Sequence, residues 1–218
     1  MPGPRRRRRE SWTRPSGAKI ERLPGTDGGA SGALEAAASA WSGLVQALLS
    51  DAAAPLERLI EACVAAIGAG DRLYFAGNGG SAAQSQHLAA ELVVREAAER
   101  YDADQALGTD TSVLTATAND LGFDRVFARQ LEALGRPGDV LVLLSANGRS
   151  PNVAAAAATA RARGVAVWAW TGRRGTRLVE ACDGGIVVPS EDVARIQEAH
   201  LLLGHVLCAQ IEGRLSGR

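Results

Sequence analysis

The stretch Arg72-Leu73-Tyr74-Phe75-Ala76-Gly77-Asn78-Gly79-Gly80-Ser81 decides the fold. Its first half is a short apolar run of strand length; it then breaks on three closely spaced glycines, with Ser81 placed to cap a following helix. The same pattern recurs downstream. Strands are expected at residues 72–76, 139–144, 165–171 and 185–188, with a weaker one near Ala106. Helices are expected at 82–97, 111–119, 124–134, 150–162, 175–181 and 193–214. Strands alternating with helices of this size predict an α/β fold, a three-layer α/β/α sandwich around a mostly parallel, five-stranded sheet. In such sheets ligands bind at the carboxyl ends of the strands.

Upstream, apolar residues recur at helical spacing over 33–49 (Leu34, Ala37, Ala38, Trp41, Leu44, Leu48) and 55–69 (Leu56, Leu59, Ile60, Cys63, Ile67). These amphipathic helices need a surface to bury against, either the domain itself or a partner subunit. Residues 1–33 are rich in Pro, Gly, Ser and Arg without hydrophobic period and read as a disordered tail. The chain therefore divides into a tail (1–33), an N-terminal helical segment (34–70) for packing and oligomerisation, and the α/β domain (71–214).

A composition of 46% apolar and 22% charged residues is that of a folded soluble chain. The net charge of zero hides an asymmetry: residues 1–30 hold eight basic and three acidic side chains, a net of +5, and the rest is −5. An acidic body argues against nucleic acid as the main ligand, leaving only the run Arg5-Arg6-Arg7-Arg8-Arg9 as a basic element. Cys63, Cys182 and Cys208 are odd in number and widely spaced, which suits a reducing compartment and neither disulfides nor a zinc knuckle. The basic N-terminus has no apolar signal region, and no stretch reaches the roughly 20 apolar residues that span a bilayer. The expected location is cytoplasmic.

Two loops lie where ligands bind. In Gly77-Asn78-Gly79-Gly80-Ser81 the glycines let backbone N–H groups approach an anion at a helix N-terminus. In Ser145-Ala146-Asn147-Gly148-Arg149-Ser150-Pro151, Ser150 is placed as N-cap and Pro151 as first helical residue. Hydroxyls, an amide and free N–H groups would converge there, which suits a phosphate. Past the first loop, His87, Glu91 and Arg95 form one helical stripe; the last helix carries Gln197 and His205 on one stripe. His205 also lies in the apolar run 201–207, where a core histidine is the ordinary finding. A phosphate cradle with a carboxylate and a histidine suits an aldose–ketose isomerase, which moves one proton between adjacent carbons and another between two oxygens. Glu91 and His205 are the pair for those roles.

These residues resemble a known family. The segments Gly77-Asn78-Gly79-Gly80-Ser81-Ala82-Ala83, Gln86-His87-Leu88-Ala89-Ala90-Glu91-Leu92, Ala118-Asn119-Asp120, Arg129-Gln130-Leu131-Glu132-Ala133-Leu134-Gly135 and Arg195-Ile196-Gln197-Glu198-Ala199-His200 are similar to those of bacterial phosphoheptose isomerases, which are sugar isomerase (SIS) domain proteins. The resemblance implies interconversion of sedoheptulose 7-phosphate and D-glycero-D-manno-heptose 7-phosphate, with Glu91 as general base and His205 as general acid. It implies substrate contacts from Asn78, Gly79, Gly80 and Ser81, from Glu91, Asn119, Asp120 and Gln197, and from Ser145, Ala146, Asn147 and Ser150. It also implies a homotetramer with sites between subunits, and one zinc ion per subunit on His87, Glu91, Gln197 and His205.

Spacing bears on the zinc expectation, because Gln197 and His205 lie about 12 Å apart along an ideal helix, so both must lean inward to share an ion. A Glu that ligates a metal is also a poorer base. One departure concerns the second loop, which in the family usually reads Ser-Thr-Ser-Gly-Asn-Ser. Here two hydroxyls are lost, while Asn147 and Arg149 offer an amide and a charge, so either phosphate binding rests on other groups or the phosphosugar differs. The rival from another class is a non-catalytic protein similar to the replication initiator-associating proteins; Glu91 and His205 argue against it.

Overall fold

Five parallel strands run in the order β2-β1-β3-β4-β5: β1 (Leu73–Gly77), β2 (Gln105–Ala106), β3 (Val140–Ser145), β4 (Ala166–Gly172) and β5 (Gly184–Val188). Around them lie α1 (Gly29–Asp51), α2 (Ala53–Gly68), α3 (Gly80–Val93), α4 (Thr111–Asp120), α5 (Ala128–Leu134), α6 (Pro151–Ala162), α7 (Thr176–Glu180) and α8 (Val193–Ser216). The structure, a computed structural model, describes residues 29–94 and 105–217. Contacts divide the chain into Met1–Ala38 and Ser39–Arg218. Of the first unit, residues 29–38 are described and are helical, with the Ser31 hydroxyl donating to Glu35 Oε1 at 3.3 Å.

In the second unit every residue of β1 and β3 is buried. Helices cover both faces of the sheet, which is why these strands read as continuous apolar runs and not as alternating ones. On one face Leu73, Phe75, Val142, Leu144 and Trp170 pack with Leu59, Ile60 and Cys63 of α2, Leu88 and Leu92 of α3, and Ile196, Leu203 and Leu207 of α8. On the other, Tyr74, Leu141, Leu143, Val167 and Ala169 pack with Leu131 of α5, Val153, Ala156 and Ala160 of α6, and Leu178 of α7. The three layers follow.

The helix α2 finds its burial surface in its own domain: Leu59, Ile60, Cys63 and Ile67 share a core with the sheet, each side chain contributing about 1.5–3 kcal/mol. Leu34 and Leu49 of α1 stay exposed. Helix α1 begins at Gly29, so the end of the expected 1–33 tail is helical; the helix buries Leu44 and Leu48, well beyond the start of the apolar period at Leu34. The rest of that tail, with its arginine run, lies outside the described residues. The helix expected over 124–134 is instead a 3-10 turn, Phe123–Arg125, and then α5, with buried Val126 and Phe127 turning the chain between them. Residues 95–97 of the helix expected over 82–97 lie outside the described residues.

The strand order places the site. From β1 the chain steps outward to β2 and then returns to β3 on the other side of β1, so β1 and β3 are neighbours whose connections diverge, with Gly77 paired to Leu144. Such a switch point opens a crevice at the carboxyl ends of the two strands. The two loops singled out in the sequence are those that follow β1 and β3. Among the described residues no helix is long and apolar enough to cross a membrane.

Candidate active site

After β1 the chain turns through Gly79 at φ 57° and ψ −121°, a left-handed conformation that side chains other than glycine rarely adopt. This turn makes Gly79 the N-cap and starts α3 at Gly80. Ser81, expected to cap the helix, is therefore inside its first turn and buried, and no side chain caps α3. A side chain added at Gly79 would meet open space, the room an anion needs.

After β3 the loop is held by its own side chains. The buried Ser145 hydroxyl accepts from the Gly148 N–H at 3.2 Å, and Asn147 Oδ1 accepts from the Arg149 N–H at 3.0 Å. The Ala146 carbonyl accepts from the Gly172 N–H at 3.0 Å. Gly148, at φ 62°, lies so close to Gly175 that an added Cβ would stand 2.6 Å from its Cα. Ser150 takes the N-cap position and Pro151 the first turn of α6, as expected, yet the Ser150 hydroxyl makes no capping bond and is left for other partners.

The two loops are tied together. Asn78 Nδ2 donates to Asn152 Oδ1 at 2.8 Å, and Asn152 Nδ2 donates to Asn78 Oδ1 at 2.8 Å. Asn152 is buried in the first turn of α6 and is a residue sequence reasoning missed. Asn119 and Asp120 stand at the exposed end of α4, where Asn119 Nδ2 donates to Asp120 Oδ1 at 2.7 Å. Among the described residues no hydrogen bond joins them to either loop.

Helices α3 and α8 carry the remaining groups. Gln84 Nε2 donates to the Gln197 carbonyl at 2.5 Å. The Gln197 amide lies against Gly80, where an added Cβ would stand 2.5 Å from its Nε2. Further along, an added Cβ on Gly204 would stand 2.4 Å from Leu88 Cδ2, so the glycine permits close approach of the helices. That approach brings His87 Nε2 to 2.8 Å from His205 Nε2, the rings at 76° with centroids 5.1 Å apart. Both imidazoles are exposed, and Glu91, one turn beyond His87, is half-buried. Arg95 of the same stripe lies outside the described residues.

His205 is thus not a core histidine; His200 is. His200 is fully buried against Trp170. Burial lowers its pKa to about 4, with the Thr171 backbone opposing the shift, yet neither ring nitrogen reaches a hydrogen-bond partner of good geometry. Of the four residues expected to hold zinc, the structure brings His87 and His205 together. Their imidazole, carboxylate and amide donors suit zinc chemically. Among the described residues no three of His, Cys, Asp and Glu converge. The two Nε2 atoms are also closer than the roughly 3.3 Å that a tetrahedral ion with ~2.0 Å bonds would set.

A parallel sheet with a glycine-containing loop at each side of its switch point defines the class of protein, and the chain matches the SIS domain over residues 38–172. A phosphoheptose isomerase of Paramagnetospirillum magneticum is 52% identical over 159 residues, which is 72% of this chain and 83% of the relative. Phosphoheptose isomerase GmhA from Neisseria gonorrhoeae superposes with a TM-score of 0.78 at 39% identity, covering 83% of this chain and 97% of that one. A phosphoheptose isomerase from Francisella tularensis superposes at 0.74 with 32% identity over 82% and 97%. The chain belongs to the phosphoheptose isomerase family.

Proposed function

We propose that the chain converts D-sedoheptulose 7-phosphate to D-glycero-D-manno-heptose 7-phosphate by proton transfer through an enediol. The observation that carries this reading is the meeting of α3 and α8 at His87 and His205, with Glu91 one turn away and the loops after β1 and β3 at the switch point. Glu91 takes the C1 proton of the ketose and returns one to C2. His205 shuttles the proton between the two oxygens, and the contact with His87 fixes its ring, since one Nε2 must carry the hydrogen and the other present its lone pair. The phosphate binds at the second loop, where the Ser150 hydroxyl is not spent on capping. Asn147 keeps its Nδ2 as donor while its Oδ1 holds the loop, and Arg149 adds charge in place of the missing hydroxyls. Gly79, Gly80 and Gln197 contact the sugar, and Asn119 and Asp120 complete the substrate set.

The same reading includes one zinc ion, which His87, Glu91, Gln197 and His205 would hold. When bound it would polarise the sugar's oxygens. It also includes a homotetramer with sites between subunits. Exposed imidazoles leave an enediol open to water, and a second copy over α3 and α8 would exclude it, covering Val94, Leu202 and Val206. The cytoplasm is the proposed compartment, in keeping with a phosphorylated substrate and with Cys63, Cys182 and Cys208 as thiols outside any disulfide among the described residues. An isomerase assay over five- to seven-carbon ketose phosphates tests the substrate: preference for a pentulose or hexulose phosphate would replace the heptulose with that sugar. Metal analysis of active protein tests the zinc, and full activity at near-zero metal content removes it.

A further inference from the structure

The switch point of the sheet carries a bond between a residue of the first loop and a residue of the helix that follows the second loop, 74 positions apart. Asn78 follows β1 and is half-buried; Asn152 lies in the first turn of α6 and is 1% exposed. Each amide donates once and accepts once at 2.8 Å, so the four polar atoms form a closed pair. Only two primary amides, or an amide facing a protonated acid, can make this pattern, because each side must present one N–H or O–H and one C=O. The pair also occupies the Asn78 side chain. The first loop is then left to offer its backbone and the open side of Gly79 to a ligand.

Resting on the isomerase reading above, we infer that Asn152 is a positioning residue: through Asn78 it locks the glycine loop against the phosphate loop, so that sugar and phosphate are gripped in one fixed register. Each loop is braced from its own side, by Ser145 and Asn147 within the second loop and by the start of α3 in the first. Among the described residues, the amide pair is the one side-chain bond from the first loop to the segment that begins with the second loop and enters α6. Since β1 and β3 already fix the strand ends, losing the pair frees only the loops. The loss therefore falls on substrate binding more than on folding or on the Glu91 and His205 chemistry.

Three single variants and one double variant test this, each compared with the unmodified protein for KM, kcat and thermal midpoint. In Asn152→Leu both bonds go, and KM for sedoheptulose 7-phosphate is expected to rise about tenfold with kcat changed by less than threefold. In Asn152→Asp the carboxyl can replace the amide only when protonated, so the ratio of variant to unmodified KM should fall toward one as pH drops from 8 to 5. A purely structural role would not produce that rescue. Asn78→Ala breaks the same pair from the more exposed loop, and Asn78→Ala with Asn152→Leu should be no worse than the worse single variant. If Asn152→Leu fails to fold, Asn152→Asp and Asn78→Ala decide. An unchanged KM in Asn78→Ala, or a pH-independent KM ratio for Asn152→Asp, overturns the inference. Should the unmodified protein turn over no phosphosugar, the isomerase reading fails on its own. The pair is then read from the thermal shift given by inorganic phosphate, which Asn152→Asp must lose at pH 8 and regain at pH 5.

Discussion

His87 Nε2 and His205 Nε2 stand 2.8 Å apart, joining the helix after the glycine loop to the C-terminal helix across 118 positions of sequence. The contact exists because the helices approach closely at Gly204 and are tied at Gln84 and Gln197. Its consequences can be measured one residue at a time.

Replacing His205 with Gln keeps a polar side chain on an exposed position but removes the proton carrier. We expect kcat to fall by about 10²–10⁴ with the thermal midpoint shifted little. Activity within tenfold of the unmodified protein would exclude His205 as the acid.

Gly80→Ala and Gly204→Ala separate function from stability. At Gly80 the new methyl meets the Gln197 amide, the end of a flexible, partly exposed side chain, so Gln197 must leave the site. The expected result is a several-fold rise in KM with unfolding free energy nearly unchanged. At Gly204 the methyl meets fully buried Leu88, which has no free volume to enter. A loss of about 1–3 kcal/mol in urea unfolding is expected, with lower kcat as the imidazoles part.

Stability should depend on His200. Its folded pKa of about 4 lies below its ordinary value of 6.5, so the folded protein holds the ring neutral. Below about pH 6.5 the unfolded chain binds a proton that the folded one refuses. Stability is thus complete above that pH and declines as pH falls toward 4, by up to about 3 kcal/mol. Urea midpoints at pH 5 and pH 7.5 measure this, and His200→Leu should remove that part of the difference. An identical pH dependence in the variant would show that other groups carry it.

Much of this was legible in the sequence because the signals were local. The buried strands read as unbroken apolar runs, and the residues Gly77 to Ser81 and Ser145 to Pro151 fall between strand and helix as expected. What was not legible depends on the phase of a helix or on distant partners. His200 and His205 sit in one apolar stretch, and only the face that α8 turns to the sheet decides that the first is core and the second exposed. Asn152 and Gln84 carry no motif, and their bonds reach 74 and 113 positions away. Ser81 looked like a cap because a left-handed Gly79 cannot be distinguished from its neighbours in a run of glycines.

The most direct test of the central claim is conversion of sedoheptulose 7-phosphate in D₂O, followed by NMR, for the unmodified protein and for Glu91→Gln. The unmodified protein is expected to yield a heptose 7-phosphate, with deuterium at C2 to the extent that Glu91 exchanges its proton with solvent, and Glu91→Gln to convert at least 10²-fold more slowly. Equal conversion by Glu91→Gln would contradict proton transfer by Glu91.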